Sequence, residues 1–145
     1  MNAMTLYRSV GFVLAVTFAA VGLDFLLAPN DVIRLFNAMS ERLGVREAPT
    51  NGAGFYLVLA VAYMYVVAIL AWHMFLHPEN RAYPTILAHA KLASAALSFA
   101  LFIGHQPYLI YLANGVVDGF IGMAVWLLNR STAVERAREQ IVRSA

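Results

Sequence analysis

A chain of 145 residues that is 61% hydrophobic and 12% charged, with a mean hydropathy of +0.68, does not have the composition of a water-soluble domain, which carries about 25% charged residues. The net charge of +2 and the absence of cysteine argue against a nucleic-acid-binding surface and exclude disulfides, thiolate metal sites, cysteine nucleophiles and haem attachment through paired cysteines. About 20 apolar residues cross a bilayer core, so four spans and their connectors nearly exhaust the length, and residues 1–145 read as a single integral membrane domain.

The first span is expected over 6–27, with Arg8 in its head and Asp24 near its far end. Its apolar stretch exceeds the ~7–15 residues of a signal-peptide core, which favours an uncleaved span. Val32, Leu35, Phe36, Met39 and Leu43 then recur at helical spacing, with Asn30 as N-cap and Gly44 just past the end. This predicts an amphipathic helix over 31–43 lying at the periplasmic surface, as a lid over the bundle mouth, a headgroup-level spacer or a partner-docking element.

The second span, 51–74, carries no charge; Pro49-Thr50 opens it and His77-Pro78-Glu79-Asn80 closes it. The third, 82–103, has Pro84 in its first turn and a single charge, Lys91, before a turn at Gly104-His105-Gln106-Pro107. The fourth, 108–128, has one charge, Asp118, and ends at Asn129-Arg130. In the tail, 131–145, Thr132-x-x-Glu135 is a capping-box pattern that predicts a separate short cytoplasmic helix. The expected fold is therefore an all-α membrane protein, a four-transmembrane-helix bundle with a periplasmic amphipathic surface helix and a short cytoplasmic C-terminal helix.

Orientation follows from the flanking cations. Arg8, Arg81, Arg130, Arg136, Arg138 and Arg143 fall on one side, and Arg34, Arg42 and Arg46 on the other. The excess predicts an inner-membrane, multi-pass protein with both termini cytoplasmic. Trp72, Trp126 and several tyrosines near span ends read as interfacial anchors.

Charges at bilayer depth cost at least ~2.5–3.5 kcal/mol each, so they face the bundle interior and find partners. If the third and fourth spans fold back between Gly104 and Gln106, residues at equal depth have numbers adding to about 209, a relation Lys91 and Asp118 satisfy. Lys91 shares a helical face with Ser94 and Ser98, and Asp118 with Asn114 and Gly115. The expectation is a Lys91–Asp118 ion pair flanked by Ser94, Ser98 and Asn114, with Thr17 and Tyr63 completing a central polar layer. Such a pair can fix helix register; it can equally bind the polar group of a lipophilic ligand or relay a proton. Asp24 is a secondary candidate at the outer interface.

His73 and His77 stand at i, i+4 spacing, a geometry used by metal and haem sites, with His89 and Glu79 as the other nearby candidates. Without a stronger ligand set, no metal site is expected. No phosphate loop, nucleophile elbow or zinc-protease helix is present, so no catalytic residue is assigned.

The run Gly22-Leu23-Asp24-Phe25-Leu26-Leu27-Ala28-Pro29, leading into an amphipathic helix and three further spans with a basic residue in the third, resembles the small bacterial DoxX-like four-helix proteins. That resemblance implies an accessory role near quinone or lipid chemistry in a membrane oxidoreductase system and names no catalytic residue; Asp118 matches no motif of the family. The leading expectation is a non-catalytic integral membrane protein, an accessory subunit or a binder of a lipophilic ligand such as a quinone or lipid. The alternatives are a proton-coupled transporter of small lipophilic compounds, in which Asp118 or Asp24 exchanges a proton for substrate, and a redox component using haem or quinone. The residues themselves point to no cofactor. The expected partners are the lipid bilayer, a lipophilic ligand and a homodimer or larger membrane complex, with no nucleic acid.

Overall fold

The computed structural model describes the backbone of residues 3–50 and 54–144 and the side chains of 3–50 and 56–133. Five helices follow one another: α1 (Ala3–Leu27), α2 (Pro29–Leu43), α3 (Gly54–Leu76), α4 (Ala82–Gly104) and α5 (Leu109–Ser144). Four stretches, Ala3–Leu27, Tyr56–Leu76, Ala82–Gly104 and Leu109–Ala133, are long and apolar enough to cross a membrane. Each leaves large apolar side chains outside, among them Leu27, Tyr65, Ile103 and Phe120. In water such surfaces would aggregate, whereas hydrocarbon solvates them and leaves the helical backbone satisfied internally.

The spans associate as two packed pairs, α1 with α3 and α4 with α5, which meet through α3–α4 and α1–α5. On α1 the buried stripe is Tyr7, Gly11, Ala15, Phe18 and Gly22, residues three or four apart and mostly small. At Gly11 an added Cβ would stand 3.1 Å from both the Ala71 carbonyl oxygen and the Phe75 nitrogen, so the two backbones are in near contact there, as small residues permit in membrane bundles. Gly122 plays the same part between α5 and α4, where a Cβ would come within 2.8 Å of Leu92 Cγ.

Between α1 and α3, the surface helix begins earlier than expected. Ala28, not Asn30, is the N-cap, with Pro29 in the first turn and no side-chain cap bond. Proline is pre-organised for that place, and its missing N–H is one the helix cannot use anyway. Gly44 terminates α2 in the left-handed region, with φ 64°, and Val45 N–H bonds back to the Ser40 carbonyl at 3.0 Å, which supports the expected C-terminus. α2 rests on α1 and α5, burying Ser40 while Leu35, Met39 and Leu43 remain outside. The connector after it is clamped by Asn37, whose amide donates to the Ala48 carbonyl and accepts from the Ala48 N–H, both at 2.8 Å. Arg46 donates to Gln106 Oε1 at 2.6 Å and lies over the Tyr108 ring, tying this connector to the α4–α5 turn. The expected start of the second span at Asn51 lies outside the described residues.

Two further boundaries differ from the sequence reading. Gly104 is the last residue of α4, so the fold-back moves toward Pro107. The residues in closest register, Ala95 with Gly119, Phe99 with Gly115 and Leu92 with Gly122, have numbers adding to 214 rather than 209. The C-terminal segment is no separate helix: α5 runs unbroken for 36 residues, about 54 Å at 1.5 Å per residue. No glycine or proline stands between Met123 and Ser144 to break it. The expected cap, Thr132, instead turns its hydroxyl back to the Leu128 carbonyl at 2.9 Å and is fully buried, while the Glu135 side chain lies outside the described residues. Arg130 stacks on Trp126, 3.8 Å from the ring centroid, at the point where the apolar part of α5 ends.

Candidate functional site

At the level of Lys91, the interior holds a basic side chain with three close neighbours. Its Nζ donates to Asp118 Oδ1 at 2.9 Å, and the ammonium lies 4.4 Å from the Phe18 ring centroid and 5.0 Å from that of Tyr63. Lys91 is 2% exposed and Asp118 4%. By helical rise both lie within about 5 Å of the middle of their apolar stretches. The ring faces present negative potential to the ammonium, so the charge is met by a carboxylate on one side and π density on two others. The pair still satisfies the expected number relation, although the backbone register does not, because the lysine arm is long enough to reach along its helix.

Next to the pair, Asn114 on α5 bridges to α4, its amide nitrogen donating to Ser98 Oγ at 2.8 Å and Ser94 Oγ at 3.2 Å. The Tyr63 hydroxyl crosses from α3 and donates to the Ala90 carbonyl at 3.1 Å. These polar groups form the floor of a groove of about 610 Å³, walled by apolar residues that include Phe25, Leu97, Leu101 and Ile110. Four helices contribute to it: Phe25 from α1, Tyr63 from α3, residues 90–101 from α4 and residues 110–114 from α5. Its size falls in the range of small-molecule pockets, roughly 300–1,000 Å³. Of the eleven residues lining it, none is charged.

The structure thus brings together Lys91, Asp118, Ser94, Ser98, Asn114 and Tyr63. Thr17 does not join them. It is exposed on the outer face of α1, and the neighbouring Phe18 occupies the interior position instead, because the small-residue stripe of α1 sets which face packs on α3. Phe18 was missed by looking for polar groups alone; the spacing of Gly11, Ala15 and Gly22 was the signal that would have placed it inward. Asp24 is exposed and separate from the groove.

The histidines divide. His73 and His77 stack with ring centroids 5.7 Å apart, and His73 stacks on Tyr83 at 4.9 Å. His77 Nδ1 stands 3.6 Å from Glu79 Oε1, and His73 Nδ1 is buried without a hydrogen-bond partner. His89 is exposed and pairs its Nδ1 with the Thr85 carbonyl of its own helix at 2.7 Å. Among the described residues no three His, Asp or Glu side chains converge as a metal-binding group.

No family model, curated protein or solved structure matches the chain. The chemical capacity of the site therefore rests on its own geometry. A compensated ion pair beside an uncharged groove offers hydrogen bonds at hydrocarbon depth and apolar contact along its length.

Proposed function

We propose that this protein is a non-catalytic inner-membrane protein that binds a lipophilic ligand in the groove between α4 and α5, with Lys91 and Asp118 holding the groove's inner wall in place. The observation that carries this reading is the groove itself, apolar along its sides and floored at mid-membrane depth by Ser94, Ser98, Asn114 and Tyr63. Hydrocarbon-facing polar side chains are costly unless they gain partners, and a ligand entering sideways from the bilayer supplies them. In this reading both termini are cytoplasmic and α2 lies at the periplasmic surface, with its exposed Leu35, Met39 and Leu43 in the lipid interface. An accessory role in lipid or quinone chemistry, of the kind implied by the DoxX-like resemblance, fits such a binder.

The test is organic extraction of the purified protein and of Leu97→Trp. Leu97 is 66% exposed on the groove wall, so the larger ring fills the groove without disturbing the ion pair. The expected result is a lipophile retained near one per chain by the native protein and lost from the variant. Identical extracts from both would overturn the reading.

A further inference from the structure

The hydrogen-bonding capacity of the groove floor is uneven in a way that selects a ligand class. Asn114 has two amide hydrogens, and one goes to Ser98 Oγ and the other to Ser94 Oγ. Its Oδ1 is left as an acceptor at the groove, because Asn114 is an exposed lining residue with no donor to that oxygen among the described residues. Ser98 is 8% exposed. It accepts from Asn114, and its own hydroxyl hydrogen is donated to no described group. The Ser94 hydroxyl is engaged with that of Tyr63, so the floor presents Asn114 Oδ1 as an acceptor beside the Ser98 hydroxyl as a donor.

Electrostatics narrows the class further. No charged residue lines the groove. The nearest buried cation, Lys91, is committed to Asp118 and covered by the Phe18 and Tyr63 rings. Arg46 lies beyond the outer end, holding Gln106. An anionic head group drawn to mid-membrane depth would lose its hydration with no cation to replace it. The groove extends along α4 from Ala90 to Leu101, about 16 Å by helical rise, which suits a hydrocarbon chain.

Building on the lipophile-binding reading above, we infer that the occupant is a neutral lipophile bearing a hydroxyl group, a long-chain alcohol or an acylglycerol. Its hydroxyl donates to Asn114 Oδ1 and accepts from Ser98 Oγ–H. A hydroxyl satisfies both groups at once. A ketone or quinone carbonyl only accepts and leaves Asn114 Oδ1 unpaired in a low-dielectric site, and each such loss lowers affinity about tenfold.

The full-length protein, reconstituted in phosphatidylcholine bilayers, is photolabelled with hexadecanol carrying a mid-chain diazirine, and the label is mapped by mass spectrometry. Labelling is expected at Leu97, Leu101 and Ile110. Unlabelled hexadecanol should displace it at about tenfold lower concentration than 2-hexadecanone, while hexadecanoate and phosphatidylglycerol should compete no better than the ketone. Asn114→Leu should erase the preference for alcohol over ketone, and Leu97→Trp, whose ring fills the groove while the side chains of the polar floor stay in place, should abolish labelling. Displacement by dioleoylglycerol as well as hexadecanol assigns the acylglycerol source, and displacement by hexadecanol alone the single-chain alcohol; either supports the inference. Equal or better competition by the ketone, as the opposite orientation of the Asn114 amide would give, overturns the hydroxyl selection and leaves the groove a lipophile site. Preference for either anion overturns the neutral-head assignment in the same way. No labelling of the groove by any probe, together with chain-to-chain crosslinks from Leu97, overturns both this inference and the lipophile-binding reading and makes the groove a helix interface.

Discussion

The Lys91 side chain is packed inside the bundle against three neighbours that replace the water it gives up: the Asp118 carboxylate and the faces of Phe18 and Tyr63. Removing one member of a buried pair strands the other, so Lys91→Met or Asp118→Asn alone should destabilise the protein by about 3–5 kcal/mol. The double variant Lys91→Met with Asp118→Leu should recover most of that loss. The swap Lys91→Asp with Asp118→Lys should recover less, because a carboxylate at position 91 would face aromatic π density and the new cation would leave it. Denaturant unfolding in detergent separates these outcomes, and a swap as stable as the native protein would remove the rings from the account. Thr17→Val, on the lipid-facing side of α1, should change stability by less than about 0.5 kcal/mol in the same assay. The ion pair was legible in the sequence because two isolated charges in apolar spans must be compensated and helical rise fixes their depth. Its aromatic cover was not legible, since phenylalanine and tyrosine are ordinary everywhere in such spans and only the packing of α1 on α3 says which ring turns inward.

Helix α2 shows how much of one element can be read and where the reading stops. Its apolar spacing and Gly44 marked the body and the end, whereas Asn30 as the cap was wrong because Pro29 already starts the helix. The Asn37 clamp on Ala48 left no local trace, since its partner is backbone eleven residues away and any residue at position 48 would offer the same groups. Asn37→Ala should strand the Ala48 N–H and carbonyl, cost about 1–3 kcal/mol, and speed proteolysis or hydrogen exchange of the 44–50 connector. Unchanged exchange there would show that the connector is held by Arg46 and Tyr108 alone. The same limit explains α5. The sequence pattern at Thr132 matched a cap, but a capping residue needs the chain to leave the helix just before it, and nothing between Leu128 and Thr132 makes it do so.

At the scale of the whole molecule, the bundle divides at the 77–81 turn into two pairs, α1–α3 before it and α4–α5 after it. The number of spans and the order of the helices followed from apolar length, but the pairing did not. Hydrophobicity gives no preference between helices already in lipid, and the choice falls to small residues and a few polar contacts whose partners are distant in sequence. Gly11 and Gly122 act within the pairs, whereas the Phe18 and Tyr63 rings on Lys91, the Tyr63 bond to Ala90 and the Arg46 bond to Gln106 act between them. Fragments 1–78 and 79–145, co-expressed and each inserted in the membrane, should therefore copurify as a complex. Gly122→Val should strain the α4–α5 pair by about 1–3 kcal/mol and lower the stability of the second fragment while much of the copurification remains. Phe18→Ala with Tyr63→Phe should have the opposite profile, weakening copurification several-fold while crosslinking between α4 and α5 within the second fragment is retained. Equal loss of both readouts in both variants would mean that the four spans fold as one cooperative unit, with the Lys91 cluster at its centre rather than at a seam.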